Sequence, residues 1–544
     1  MTAVMLLVSH ATFAAEEPNP AQAEIAPKVA AARAILDPWL AENPEPARKK
    51  VHLILWTPKD REPLPRYRER LTAIFKDVRA FYAREMDRLG FGPRTIGLDE
   101  AEDGLLRVRL VRGQKDYANY IVASGNLIRR ECLPTLEAAG LKVEEELIVM
   151  YCNMSNWDPA KRAISHNSPY YGSGTHKRGA AWQVDSPILD VAFLGEKGQN
   201  VQDDKHGDIS LGRYNRLSIG GACQELGRAL GLPHNVERDE ERAAFGISIM
   251  GGGNRTYGEQ LVGESKGSFL TLADGLRLAA HPMFSGSVKG INLPRSARPE
   301  QLAIRPKGKG FEFTGRVTTD PAAPPVYAVL GYLDPSGGSD YDARTTTAVP
   351  DKDGRFTLDC HDLTRGRTGE LRVVYLQANG VAASSRSSTP YHYPYVVAKD
   401  GTVDLAPALA ALKRPIGGES ARLGAVVTNV PPILQALAGS EWTLKDFCGT
   451  PMPADYKASL SVGPAGTISG NAGVNRFNGR FRGGGQKDPI TTTHMSGPPE
   501  AMALEARYLK ALEAAVKFEM TGGNLRVTCA GEDKPLVFAR SKKP

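Results

Sequence analysis

The chain has 544 residues, 41% of them hydrophobic, and its 68 basic and 61 acidic residues give a formal net charge of +7. This length predicts about three or four domains, because single hydrophobic cores rarely grow beyond about 250 residues. The charge is nearly balanced and no dense basic tract carries interleaved aromatic residues, so we expect no nucleic-acid partner. After the N-terminus, no apolar run reaches the length of a transmembrane helix, and we expect no transmembrane segment.

The first residues combine an apolar run with small residues around Ala14 and Ala15, which is typical of a secretory signal peptide. We therefore expect residues 1–15 to be a signal peptide, and the protein to be exported to a periplasm, a cell envelope or the medium. A helical segment and linker are expected over 16–49. The six cysteines are scattered without a paired spacing, so they neither support nor exclude disulfides.

Residues 50–292 alternate between strand-like and helix-like patterns. The apolar runs VHLILWTP and EELIVMYC predict buried strands, and residues 66–89 have apolar side chains at helical spacing. Strands that alternate with helices predict an α/β layer. Residues 153–215 are rich in Gly, Ser, Tyr and His and lack strong periodicity, so we expect an irregular segment there, of the kind that carries function.

The rest of the chain is rich in short strands. Between residues 293 and 412 these strands are separated by turn residues, which predicts a β-sandwich. Residues 413–438 look like a linker. Residues 439–544 return to strands, interrupted by one amphipathic helix over 498–516, and this pattern predicts a small α+β module. The fold class is therefore multidomain, with an α/β (α+β) domain, a β-sandwich and the small module.

The stretch GGACQELGRALGLPHN contains the pattern of greatest chemical interest. It predicts a helix from Gly221 to Leu230. Positions 224 and 228 lie one turn apart on one face, where a zinc protease carries two histidines, with a glutamate next to the first as general base. Here these positions hold Gln224, Glu225 and Arg228.

Beyond the helix, LGLPHN places His234 after a glycine turn, and GISIMGGGN contains Met250. Taken with the motif helix, these segments resemble the metzincin-type zinc metallopeptidases over residues 50–292. The resemblance implies a fold and an ancestral zinc cofactor. It also implies that Glu225 occupies the general-base position, that His234 is a remnant third ligand, and that Met250 lies in the methionine turn beneath the metal.

The replacements at two ligand positions change the expected chemistry. A catalytic zinc ion needs three protein ligands, so His234 alone should bind it very weakly, and we expect no cofactor and no zinc-type activation of water. Arg228 cannot lose its proton to become a ligand. Its charge either pairs with Glu225 in place of the metal, or both side chains face solvent. The spacing of His166, His176 and His206 does not indicate that they complete a metal site.

The C-terminal stretches EWTLKDFCGTPMP, GTISGNAGVNRFNGRF and TTTHMSGPPEAMALEARYLKAL resemble the META domain, a module of heat-shock-type bacterial envelope lipoproteins. This resemblance covers the module at 439–544 and implies an envelope location and a binding role without catalytic residues.

Two functions of the whole protein remain open. The first is a non-catalytic metallopeptidase-like protein that binds a peptide, a polysaccharide or an envelope protein. The alternative is an active metallopeptidase with an unconventional or completed metal site around His234 and Glu225.

Overall fold

The computed structural model describes residues 19–335, 343–383, 391–413, 432–437, 440–452, 456, 458–463, 467–481, 487–492 and 499–541. The expected signal peptide at 1–15 and most of the expected linker at 413–438 lie outside these residues. The chain divides into two compact units, 1–414 and 415–544. Within the described residues, every helix is too short or too polar to cross a membrane.

Nine helices are described in the first unit. They are α1 (Pro20–Ala23), α2 (Ile25–Ala41), α3 (Tyr67–Arg88), α4 (Gly125–Ala138), α5 (Leu211–Ala229), α6 (Asp239–Phe245), α7 (Leu272–Ala279), α8 (Pro282–Ser285) and α9 (Ala406–Leu412).

A five-stranded sheet forms the centre of the first unit, in the order β2-β1-β3-β7-β6. Its strands are β1 (Val51–Thr57), β2 (Val108–Arg112), β3 (Leu147–Cys152), β6 (Tyr171–Gly174) and β7 (Gly179–Val184). The strands β1, β2, β3 and β7 are parallel, whereas the edge strand β6 runs antiparallel to β7. Alternate residues of β1 pack on opposite sides, with Leu53 in the core that includes α3 and α5 and Ile54 in the core that includes α4. The sheet is therefore covered on both faces, as its apolar strands predict.

The segment 153–215, expected to be irregular, contains six strands and the beginning of α5, so that expectation is wrong. Besides β6 and β7, it holds β4 (Ser155–Asp158), β5 (Ala163–His166), β8 (Asn200–Asp203) and β9 (Gly207–Ser210), which form a second sheet. A short parallel pair, β10 (Ile247–Ser248) and β11 (Ser268–Phe269), follows α6.

Two further sheets follow in the first unit and enclose a shared apolar core. Their strands are β12 (Arg298–Lys307), β13 (Gly310–Thr318), β14 (Val326–Asp334), β15 (Arg344–Ala348), β16 (Arg355–Cys360), β17 (Arg367–Gln377), β18 (Ala382–Ala383), β19 (His392–Val397) and β20 (Val403–Asp404). Leu330 of β14 and Leu376 of β17 also belong to the core that contains α2 and α5. The six-stranded sheet that contains β14 and β17 therefore shares a core with the motif helix, and the other sheet is joined to it through their common core, which explains why residues up to 414 form one compact unit.

The second unit is built on one antiparallel sheet in the order β26-β25-β24-β23-β21-β29-β28-β27, with β22 paired to β21. Its elements are α10 (Pro432–Ala436), α11 (Pro499–Glu513), β21 (Ser440–Phe447), β22 (Thr450–Pro451), β23 (Ser459–Val462), β24 (Thr467–Asn471), β25 (Arg476–Phe481), β26 (Lys487–Thr492), β27 (Ala515–Thr521), β28 (Asn524–Cys529) and β29 (Leu536–Arg540). Tyr508 and Leu512 of α11 are fully buried in the core of this sheet.

Candidate functional site

The motif helix α5 is longer than the sequence predicts. It begins at Leu211, ten residues before the expected start, and the Ser210 hydroxyl caps it by accepting a hydrogen bond from the Arg213 backbone N–H. After Ala229 the chain turns at Gly231, whose φ of 85° lies in the left-handed region that favours glycine. The turn directs the chain back toward His234.

The Glu225 side chain lies against the edge strand β6 and is only 9% exposed. The backbone of Gly172 donates a hydrogen bond to its carboxylate. A Cβ atom on Gly172 would lie 2.1 Å from the Glu225 carbonyl oxygen, so glycine is required for this approach. Burial raises the pKa of Glu225 to about 7, while the charge of Arg228 and the Gly172 hydrogen bond act in the opposite direction. The interpretation that Glu225 faces solvent is therefore wrong.

Tyr170, just before β6, covers the same face of α5 one turn earlier. A Cβ atom on Gly221 would lie 1.5 Å from the Tyr170 hydroxyl oxygen, so this hydroxyl occupies the space that a side chain at 221 would fill. Burial, and next the negative charge of Glu225, raise the pKa of Tyr170 well above its usual value. No sequence motif pointed to Tyr170, whose only signal was its place in the Tyr- and Gly-rich stretch.

The two side chains at the ligand positions of α5 bind backbone carbonyl groups. The Gln224 amide Nε2 donates to the carbonyl oxygens of Ile249, at 2.8 Å, and Gly251, at 2.7 Å. The Arg228 Nη1 donates to the Leu232 carbonyl oxygen at 3.3 Å. Among the described residues Arg228 forms no ion pair, so the predicted direct pair with Glu225 is not formed and only the longer-range charge of Arg228 acts on that carboxylate.

His234 and Met250 meet beside the motif helix. The imidazole of His234 is 7% exposed, and its Nδ1 lies 2.8 Å from the Met250 carbonyl oxygen. Because a carbonyl oxygen can only accept, Nδ1 carries the proton of this hydrogen bond. The Met250 side chain is fully buried, and its Sδ would lie 2.6 Å from a Cβ on Gly227. The structure therefore brings Gln224, His234 and Met250 together around residues 249–251.

This arrangement does not fit a zinc ion as it stands. Zinc in proteins takes His, Cys or carboxylate ligands at about 2.0–2.3 Å, three of them in a catalytic site. In the described part of the chain, such donors converge in a group of three only at Glu240, His361 and Asp362, none of which belongs to α5. An amide that donates to two carbonyls and a guanidinium therefore stand where two ligands would be needed.

The three other histidines considered from the sequence bind elsewhere. The Nε2 of His166 lies 2.9 Å from the Lys205 Nζ, and the Nδ1 of His206 lies 2.9 Å from the Asp203 carboxylate. The Nε2 of His176 lies 3.4 Å from the Ile291 carbonyl oxygen. Each of these three imidazole rings therefore contacts a residue other than His234, and among the described residues none of them is seen to complete a metal site with it.

Comparison with known proteins gives a family match for the C-terminal module and solved structures of similar fold. Residues 435–543 match the META domain family. The structure is similar to that of a catalytically inactive OgpA from Akkermansia muciniphila in complex with an O-glycopeptide (glycodrosocin) substrate, with 24% identity, a TM-score of 0.53, and coverage of 65% of this chain and 94% of OgpA. Wild-type OgpA gives 25% identity and a TM-score of 0.52, again with coverage of 65% and 94%. No curated protein matches the chain. The chain thus shares its mixed α/β fold with an enzyme that has a glycopeptide substrate.

Proposed function

We propose that this protein binds O-glycosylated peptides beside helix α5 and strand β6 and does not hydrolyse them by zinc chemistry. The observation that carries this proposal is the use of Gln224 and Arg228, at the two ligand positions, as hydrogen-bond donors to backbone carbonyls. The fold shared with OgpA supports the ligand class, because OgpA is known with an O-glycopeptide substrate. The sequence at the N-terminus and the META domain support export and an envelope location.

A second function is favoured by one specific observation. Glu225 is buried beside Gly172 and Tyr170, and its pKa of about 7 would let it exchange protons near neutral pH. A carboxyl group with this property is suited to general acid–base catalysis. The alternative function is therefore peptidase activity with an unconventional or completed metal site around His234 and Glu225.

The test compares one O-glycosylated peptide with the same peptide without its glycan. Binding to the purified full chain is measured by calorimetry, its zinc content by elemental analysis, and cleavage of the peptide by mass spectrometry with and without added zinc. We expect binding of the glycopeptide and no cleavage. Cleavage that a chelator stops and that Glu225→Gln abolishes would establish the alternative, whereas no binding of either peptide would overturn the proposal.

A further inference from the structure

A cavity of about 550 Å³ lies where strand β6 and helix α5 both end. Gly174 of β6 and Gly231 after α5 line it, together with residues of the β6–β7 turn and of α7. Its volume is within the range of about 300–1,000 Å³ that is typical of small-molecule sites. Because β6 runs from beside Glu225 to this cavity, a ligand that follows the edge strand would reach it.

The ionisable side chains that line the cavity are mostly cationic. Lys177, Arg178 and Arg277 contribute positive charge, and Glu144 contributes the one carboxylate among the lining residues. Glu144 is already paired with Arg178 and with Arg129, whose Nη2 lies 3.3 Å from its carboxylate. The negative charge in this cavity is therefore compensated before any ligand binds.

Two of the cations form no ion pair among the described residues, although the charge of Arg277 acts at longer range on the Asp274 carboxylate. The Lys177 Nζ donates to the Asn292 side-chain oxygen at 3.0 Å, and the Arg277 Nη2 donates to the Gly231 carbonyl oxygen at 2.8 Å. These neutral acceptors hold the two groups in position without cancelling their charge. A half-buried cation held in this way attracts an anion more strongly than a solvated surface lysine does.

Neither histidine of the cavity supplies this charge, because burial lowers the pKa of both His176 and His281. The His281 Nδ1 accepts a hydrogen bond from the Met283 backbone N–H at 3.1 Å, so it carries no proton. Burial, and next the neighbouring His176, lower the pKa of His281 to about 3. The positive potential therefore comes from lysine and arginine and persists across the physiological pH range.

We propose that this cavity binds the carboxylate or sulfate group of an acidic sugar on the glycopeptide. This inference rests on the proposed function and narrows its ligand class to acidic glycans. Lys177 and Arg277 would bind the anionic group by charge-assisted hydrogen bonds. The apolar side chains of Leu230, Leu376 and Val381, which also line the cavity, would contact the nonpolar face of the sugar ring.

The experiment measures calorimetric binding of three glycopeptides to the full chain. They share one peptide and carry a neutral O-linked disaccharide, its sialylated form or its sulfated form. We expect the two acidic forms to bind at least about tenfold more tightly than the neutral form, with the difference shrinking as salt rises. Lys177→Gln should remove most of the difference, whereas Lys177→Arg should keep it. The matched control Lys161→Gln changes a lysine that is 81% exposed and outside the cavity.

Each outcome has a distinct meaning. Equal affinity for neutral and acidic forms, or an unchanged preference in Lys177→Gln with an unchanged melting temperature, would overturn the acidic-sugar site but leave the proposed function standing. No binding of any glycopeptide would overturn the proposed function itself. Free N-acetylneuraminic acid and inorganic sulfate serve as separate probes. If inorganic sulfate bound as tightly as the sulfated glycopeptide, the site would be one for free anions and the sugar assignment would be wrong.

Discussion

Helix α5 has two faces that differ in what their side chains do. Toward β6, Glu225 remains a buried carboxyl group with a pKa of about 7, as a proton-exchanging group requires. Toward residues 249–251, Gln224 forms two hydrogen bonds to backbone carbonyls in a place where a zinc protease has a ligand. The two faces show that adjacent residues of one helix can have different roles, with a buried carboxyl group on one side and an amide that holds backbone carbonyls on the other.

The largest expected effect comes from placing histidines on the helix face that carries Gln224. If Gln224, Arg228 and His234 occupy the three ligand positions, the double variant Gln224→His plus Arg228→His should bind about one zinc per chain. Zinc at about 1,000 times its Kd should stabilise the folded variant by about 4 kcal/mol. Calorimetric titration measures the binding, with each single variant as the control. Binding no tighter than that of the unmodified chain would mean that His234 does not converge on this helix, and the comparison of the two faces would fail.

A second change disturbs the packing of strand β6 on helix α5 beside Glu225. Gly172→Ala places a methyl group 2.1 Å from the Glu225 carbonyl oxygen, so strand or helix must move. We expect a loss of about 3 kcal/mol in the free energy of unfolding, as for severe overpacking. The matched control is Gly195→Ala, because nothing lies within 4 Å of a Cβ there. Denaturant unfolding measures the free energy of unfolding of both variants. An equally small loss in both would contradict the close contact between Gly172 and the Glu225 carbonyl oxygen.

A third change tests the burial of the Glu225 carboxyl through pH. Its folded-state pKa of about 7 lies above the ordinary value of 4.5, so the folded protein binds more protons than the unfolded chain between these values. Stability is therefore lost as pH rises from 4.5 through 7. Glu225→Gln should remove this loss. The free energy of unfolding of the variant, relative to that of the unmodified protein, should therefore rise by about 2 kcal/mol between pH 5 and pH 8. Thermal unfolding at both values measures it. The control is Glu102→Gln, which changes an exposed residue. If the stability difference between Glu225→Gln and the unmodified protein were the same at pH 5 and pH 8, as we expect for this control, Glu225 would have to face solvent.

The smallest expected effect concerns the hydrogen bonds of Gln224. Gln224→Leu introduces an apolar side chain of roughly similar size and takes a donor away from the carbonyls of Ile249 and Gly251. We expect a loss of about 1 kcal/mol in the free energy of unfolding. The control Gln202→Leu changes an exposed residue of β8. A stabilised Gln224→Leu variant would mean that these hydrogen bonds do not hold residues 249–251.

The sequence predicted the parts of this fold whose signal lies in apolar periodicity. The runs that became β1 and β3 are fully buried, and helix α11 lies within the residues expected for it. The resemblance to the metzincin-type metallopeptidases also implied that His234 and Met250 would lie beside the motif helix, and the structure brings both close to Gln224. These features depend on local pattern, which one sequence contains.

The parts that could not be predicted depend on tertiary contacts. Strand β6 has the sequence YGSG, which has little strand propensity, and it forms because it pairs with β7 and packs on α5. The first turns of α5 contain Gly212, Gly220 and Gly221, which weaken any helix prediction, yet all three are buried against neighbouring elements. The direction of Arg228 likewise depends on the Leu232 carbonyl, whose position follows only from the folded turn.

The glycines where the β6–β7 hairpin meets α5 have a consequence for how this site can change over time. Cβ atoms on Gly172 and Gly174 would lie 2.1 Å and 1.7 Å from carbonyl oxygens of α5, and one on Gly179 would lie 1.9 Å from the same oxygen as that of Gly174. The spacing between hairpin and helix is thus set by main chain against main chain. Replacing the side chains of residues 224 and 228 beyond Cβ should therefore leave the wall beside Glu225 in position, so the chemistry of the helix face can change without a change in the shape of that wall.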